Sequence, residues 1–159
     1  MEKYKTEIKW GFIFTAVMLL WMVIERLMGW HSENIDQHVY MTNIFAIPAI
    51  AVYVFALIDK RKNDYLGSMT WMQGFKCGVF ITLVAAVLSP LAQLIIHTVI
   101  SPDFFQNMIE YSVETGSVSR ENAESTFNLS SYMVQGVIGT LVMGIITSAI
   151  VALFTKKRV

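Results

Sequence analysis

The chain has 159 residues, of which 55% are hydrophobic and only 15% charged, and its formal net charge is zero. Soluble domains carry about 25% charged residues, so these figures argue against a soluble globular enzyme and exclude a disordered chain, which is polar and charged. The charge balance gives no sign of nucleic-acid binding, and a single cysteine, Cys77, excludes an intrachain disulfide or a cysteine-cluster metal site.

Crossing a hydrocarbon core of about 30 Å takes about 20 mostly apolar residues in a helix. Four stretches are long enough: 10–28, 40–58, 71–100 and 132–154. None alternates with period two, and in lipid an isolated segment must pair its own backbone, so all four are expected to be helices. The expected architecture is an all-α integral membrane protein, with residues 1–159 forming one four-helix transmembrane domain. The first stretch follows Lys3, Lys5 and Lys9, but it is long, and Leu27-Met28-Gly29-Trp30 offers no small-residue cleavage site. It reads as a retained span and not as a signal peptide.

Glu25 and Arg26 close this first span. As neighbours they do not face each other on a helix. An interfacial boundary with a snorkelling Arg26 is the plain reading. A buried Glu25, paired with His97 or with polar residues of the outer segment, is the sharper one, because charge within a membrane marks a functional candidate. The following loop groups His31, Glu33, Asp36 and His38. These can bind a divalent cation, but the spacing matches no compact motif, and a solvated polar loop is the plainer reading. Pro48 in span two and Pro90 in span three each remove a backbone donor and are expected to kink their helices.

Span three carries Thr82, Ser89, Gln93 and His97 on one face. Polar side chains in a membrane helix either bond across to a neighbouring helix or line a substrate or proton path. Between spans three and four, residues 102–127 form the largest polar segment, read as helical and extra-cytoplasmic. Ser101-Pro102-Asp103 reads as an N-cap followed by a first-position proline. An amphipathic helix is expected over about 103–115, with a stop at Gly116 and a second start at Ser117 or Ser119. Its acidic face favours capping the bundle over lying on anionic lipid. Asn128-Leu129-Ser130 matches a glycosylation triplet but abuts span four, so it carries no weight. Span four repeats Gly136, Thr140, Gly144, Ser148 and Ala152 every four residues. This small-residue ladder lets another helix approach closely, from the same chain or from a second copy.

Orientation follows from charge. Lys3, Lys5, Lys9, Lys60, Arg61, Lys62, Lys76, Lys156, Lys157 and Arg158 share one side, whereas the other holds only Arg26 and Arg120. The positive-inside rule places both ends of the chain in the cytoplasm. Trp10, Tyr65 and Trp71 anchor the inner interface, and Trp30, Tyr40 and Tyr132 the outer one.

The motifs Ile8-Lys9-Trp10-Gly11, Gln73-Gly74-Phe75-Lys76-Cys77-Gly78 and Ser101-Pro102-Asp103-Phe104, with a basic tail after span four, come in an order that resembles the bacterial membrane proteins grouped as domain of unknown function 4199. The resemblance runs over almost the whole chain. It implies a bacterial inner membrane and four spans, and it supplies no reaction or catalytic residue.

The sequence holds no nucleophile elbow, phosphate loop or dinucleotide fingerprint. No catalytic, cofactor-binding or metal residue is assigned from it, and no cofactor is implied. The expected role is a non-enzymatic scaffold or accessory subunit, with the lipid bilayer and a second copy or a membrane protein as partners. The alternative is a component of a small-molecule or ion transporter or channel using the polar face of span three. A membrane enzyme acting on lipid or an envelope precursor would need grouped acids, histidines or a metal at an interface, which only Glu25 and the outer loop could supply.

Overall fold

The computed structural model describes residues 4–157, and among them the fold is all-helical. Four helical segments are long and apolar enough to cross a membrane: Lys5–Leu27, Ile35–Asn63, Trp71–Ile100 and Leu129–Thr155. Their outward faces are apolar, with Leu20, Phe55, Val87, Val99 and Phe154 exposed. Such faces suit lipid and would be a liability in water.

The first span is α1 (Lys5–Leu27). It ends in a Schellman turn: Gly29 N–H reaches Arg26 O at 3.2 Å, and Trp30 N–H reaches Glu25 O at 3.1 Å. Gly29 has φ +74°, a left-handed value that costs glycine little. The turn folds the chain back over the end of α1.

The second span is not one regular helix. A 3₁₀ turn (Ile35–Gln37), the short α2 (His38–Met41) and a second 3₁₀ turn (Thr42–Phe45) lead into α3 (Ala46–Asn63). The expectation that Pro48 kinks mid-helix is corrected by this arrangement. Pro48 lies in the first turn of α3, where backbone N–H groups have no intrahelical partner to lose. The irregular stretch precedes it.

The third span is α4 (Trp71–Ile95), continued by a π-helical turn (Ile96–Ile100). Thr70 and Gln73 form a capping box at its start. Pro90 does lie inside this helix. After the π turn come α5 (Phe104–Glu114) and α6 (Arg120–Thr126), and then α7 (Leu129–Thr155). Gly116, at φ +68°, ends α5 with another Schellman pair: its N–H reaches Val113 O, and Ser117 N–H reaches Ser112 O, both at 3.0 Å. Ser119 caps α6, bonding the Asn122 N–H at 3.4 Å. The expected cap at Ser101 is not made. Asp103 occupies the cap position of α5 without a side-chain bond, and the Ser101 hydroxyl is engaged elsewhere.

The most extensive packing joins α4 to α7, followed by α1 to α4. The apolar core, including Tyr53, Leu57, Met69, Ile81 and Val151, lies between α3, α4 and α7. At one end the basic groups converge. Lys9 pairs with Asp59 at 2.5 Å, and Lys60 pairs with Glu7 at 2.8 Å and Asp64 at 2.5 Å. Arg61 donates to Thr155 O at 2.7 Å, and Met69 and Lys157 exchange backbone bonds of 2.8 and 2.9 Å. The tail after α7 is thus tied to the α3–α4 connection.

Candidate functional site

The polar residues of the spans separate into two places. The first is the face of α4. Thr82 is fully buried and bonded twice: its hydroxyl lies 2.7 Å from that of Tyr53, and it donates to Gly78 O at 2.9 Å. Small residues of α7 press against this face. A Cβ added at Gly144 would sit 2.4 Å from Thr82 Cγ2, and one at Gly136 would sit 2.8 Å from Ser89 Oγ and 3.0 Å from Gln93 Nε2. The closeness is reciprocal, since a Cβ on Gly78 of α4 would lie 2.5 Å from Ser148 Oγ. Ser148 is buried and donates to Gly144 O at 2.6 Å. Thr140, between these contacts, is half-buried. The ladder of α7 therefore serves a neighbour within the chain.

Gln93 and His97 extend the stripe toward the far end, with His97 Nε2 3.1 Å from Gln93 Oε1. His97 is held in the π turn and packed among aromatic rings, stacked on Phe105 at 4.1 Å and edge-on to Tyr132 at 5.3 Å.

The second place is built around Glu25, which does not join the stripe. Its side chain is fully buried near the end of α1. Because the Gly29 turn reverses the chain, His31 comes back beside it, with Nε2 3.0 Å from Glu25 Oε2. His38, at the start of α2, places Nδ1 3.4 Å from the same oxygen. That nitrogen is buried and makes no aligned hydrogen bond. The other carboxylate oxygen, Oε1, accepts the Trp21 indole N–H at 2.5 Å. Trp21 stands one helical turn before Glu25, so the pair is fixed by helix geometry.

Ser101 completes the support. Its hydroxyl, fully buried, lies 2.6 Å from His31 Nδ1, which is why it is absent from the start of α5. Asn107 on α5 donates to His31 O at 2.8 Å. Phe104 covers both imidazoles, with ring centres 5.0 Å from His31 and 5.1 Å from His38. Phe104 also meets His97 at 5.3 Å, so the Glu25 group and the stripe touch the same ring. Phe104, Met108 and Ser112, spaced by four, are the buried residues of α5. This places α5 across the end of the bundle.

Of the four loop residues suggested as a cation site, only the histidines are brought to Glu25. Glu33 is exposed and accepts from the Ser32 hydroxyl at 2.6 Å, which holds its carboxyl below the usual range. Asp36 is also exposed. Glu25, His31 and His38 each offer one donor atom, and these lie within 4.8 Å of one another. Two imidazoles and a carboxylate form a donor set suited to zinc-class metals. The sequence signal was available: a carboxylate and two histidines within 14 positions across one short loop. What spacing did not reveal was the reversal at Gly29 or the contribution of Ser101.

A family model described as Protein of unknown function (DUF4199) matches residues 9–157. No curated protein and no solved structure matches the chain.

Proposed function

We infer that this chain, which belongs to the DUF4199 family of proteins of unknown function, is a non-enzymatic scaffold or accessory subunit of the bacterial inner membrane. In this reading residues 1–159 form one four-span domain. The basic end of the bundle, with Lys9, Lys60 and Arg61, faces the cytoplasm with both ends of the chain, and α5 and α6 lie outside the cytoplasm.

One observation carries the reading. The polar face of α4, which a transport path would use, is met by Gly136 and Gly144 of α7 at distances that leave no room for a Cβ. Thr82 of that face bonds across to Tyr53 of α3, while Gln93 pairs with His97 of its own span. Polar residues used in this way hold helices together.

A scaffold needs something to hold, and the exposed apolar faces of the spans offer it lipid and membrane-protein neighbours. Tag capture from membranes in a mild detergent, followed by size-exclusion chromatography and mass spectrometry, tests this. A defined membrane-protein partner or a homo-oligomer is the expected result. A strict monomer with no co-purifying partner overturns it.

A further inference from the structure

We propose that Glu25, His31 and His38 bind one divalent transition-metal ion of the zinc class at the α5 end of the bundle. The proposal is independent of the scaffold reading.

The geometry is the first argument. Metal–ligand bonds of about 2.0–2.1 Å in a tetrahedral site put neighbouring donor atoms about 3.3 Å apart. Glu25 Oε2 lies 3.0 Å from His31 Nε2 and 3.4 Å from His38 Nδ1, and all three donors lie within 4.8 Å of one another. One ion therefore fits between them with only small side-chain movements.

The orphaned nitrogen is the second argument. His38 Nδ1 is buried, faces a carboxylate oxygen and has no aligned hydrogen bond. A buried polar atom left with a long, misaligned contact is under-satisfied, and a metal ion at the centre of the triad satisfies it.

The outer support is the third. Metal-bound histidines usually bond through their second ring nitrogen, and bound carboxylates are themselves hydrogen-bonded. His31 Nδ1 is 2.6 Å from Ser101 Oγ, and Glu25 Oε1 accepts from Trp21. With Nδ1–H donating to Ser101, the His31 Nε2 lone pair faces Oε2. In that tautomer the lone pair is free to ligate a cation held between the two. Phe104 flanks both rings and walls the site, and three protein ligands leave a tetrahedral ion's fourth position to a water. The bound ion would fasten α1, the turn at Gly29, α2 and the start of α5 at one point.

The test uses the tag-free full chain in detergent, stripped with a chelator, incubated with Zn²⁺ and desalted before elemental analysis. The expected result is about one zinc per chain. Co²⁺ loading of the same wild-type protein is expected to give visible bands of nitrogen–oxygen coordination, a readout that needs no variant. His38→Gln and Glu25→Gln are expected to lose most of the bound metal. Ser101→Ala is expected to weaken affinity roughly tenfold or more, and His97→Gln to leave it unchanged. Wild-type protein that retains no stoichiometric zinc and gives no cobalt bands overturns the proposal, leaving a buried Glu–His ion pair. Metal retention unaffected by His38→Gln, or lost in His97→Gln, overturns the assignment to this triad.

Discussion

Lys60→Ala is expected to lower folding stability by about 3–5 kcal/mol, the cost of breaking a buried ion pair by removing one partner. Lys60 and Glu7 are almost fully buried, with side-chain exposures of 6% and 5%, and lie 2.8 Å apart. Asp64, the second partner of Lys60, is more open at 36% and is rehydrated easily once the lysine is gone. Glu7 is not. One of its oxygens, Oε2, is already buried without a hydrogen bond, and Lys60→Ala would take the other's partner. The loss arises from the stranded carboxylate, so removing both charges is far milder. The double variant Glu7→Leu with Lys60→Met is expected to recover to within about 1 kcal/mol of wild type, because apolar replacements of buried pairs are often neutral. Denaturant titration in micelles measures both. A Lys60→Ala protein as stable as wild type would contradict the burial of this pair.

Gly78→Ala is expected to destabilise by about 1–3 kcal/mol through overpacking. The added Cβ would lie 2.5 Å from Ser148 Oγ, 2.6 Å from its Cβ and 3.1 Å from its Cα. Turning the serine side chain does not relieve a clash that reaches the backbone, so α4 and α7 have to separate. Ser148→Gly removes the obstructing atoms, while costing about 0.5–1 kcal/mol as a glycine within a helix. Combining the two exchanges the small and larger residue across the interface. The double variant is therefore expected to be more stable than the sum of the two single effects, by about 1–2 kcal/mol of coupling. Strictly additive effects would place the two residues out of contact.

These two interfaces differ in how far the sequence announced them. The small-residue ladder of α7 was legible because close approach needs small side chains at a fixed helical spacing. Gly136, Gly144 and Ser148 indeed meet α4. Its partner had to come from the structure, since spacing cannot tell an internal helix from a second copy. The four spans were legible from run length, and the stop at Gly116 from the need for a left-handed residue. Some of their ends were read less well. The second helical segment begins at Ile35, not near residue 40, because polar residues such as Asp36 and His38 continue as 3₁₀ and α turns once the chain folds back on α1. Ser101 satisfied every sequence rule for a cap, yet its hydroxyl bonds His31, 70 residues earlier in the chain. Local rules describe what a residue can do for its own helix and miss a long-range partner with a stronger claim. For the same reason Glu25 was visible as a charge at a span end, while its joining with His31 and His38 depended on the turn at Gly29.

The scaffold role requires the polar face of α4 to be a sealed helix contact. Ser89, 4% exposed and facing Gly136, lies at the middle of that face. The decisive measurement is the reactivity of Ser89→Cys, in a Cys77→Ser background, toward a small water-soluble methanethiosulfonate in native membranes. Val118→Cys, at an exposed position between α5 and α6, serves as the reactive reference. Ser89→Cys is expected to stay unmodified until the protein is denatured, while Val118→Cys reacts at once. Modification of native Ser89→Cys at a rate comparable to Val118→Cys would contradict a sealed contact, and would place water along the face of span three.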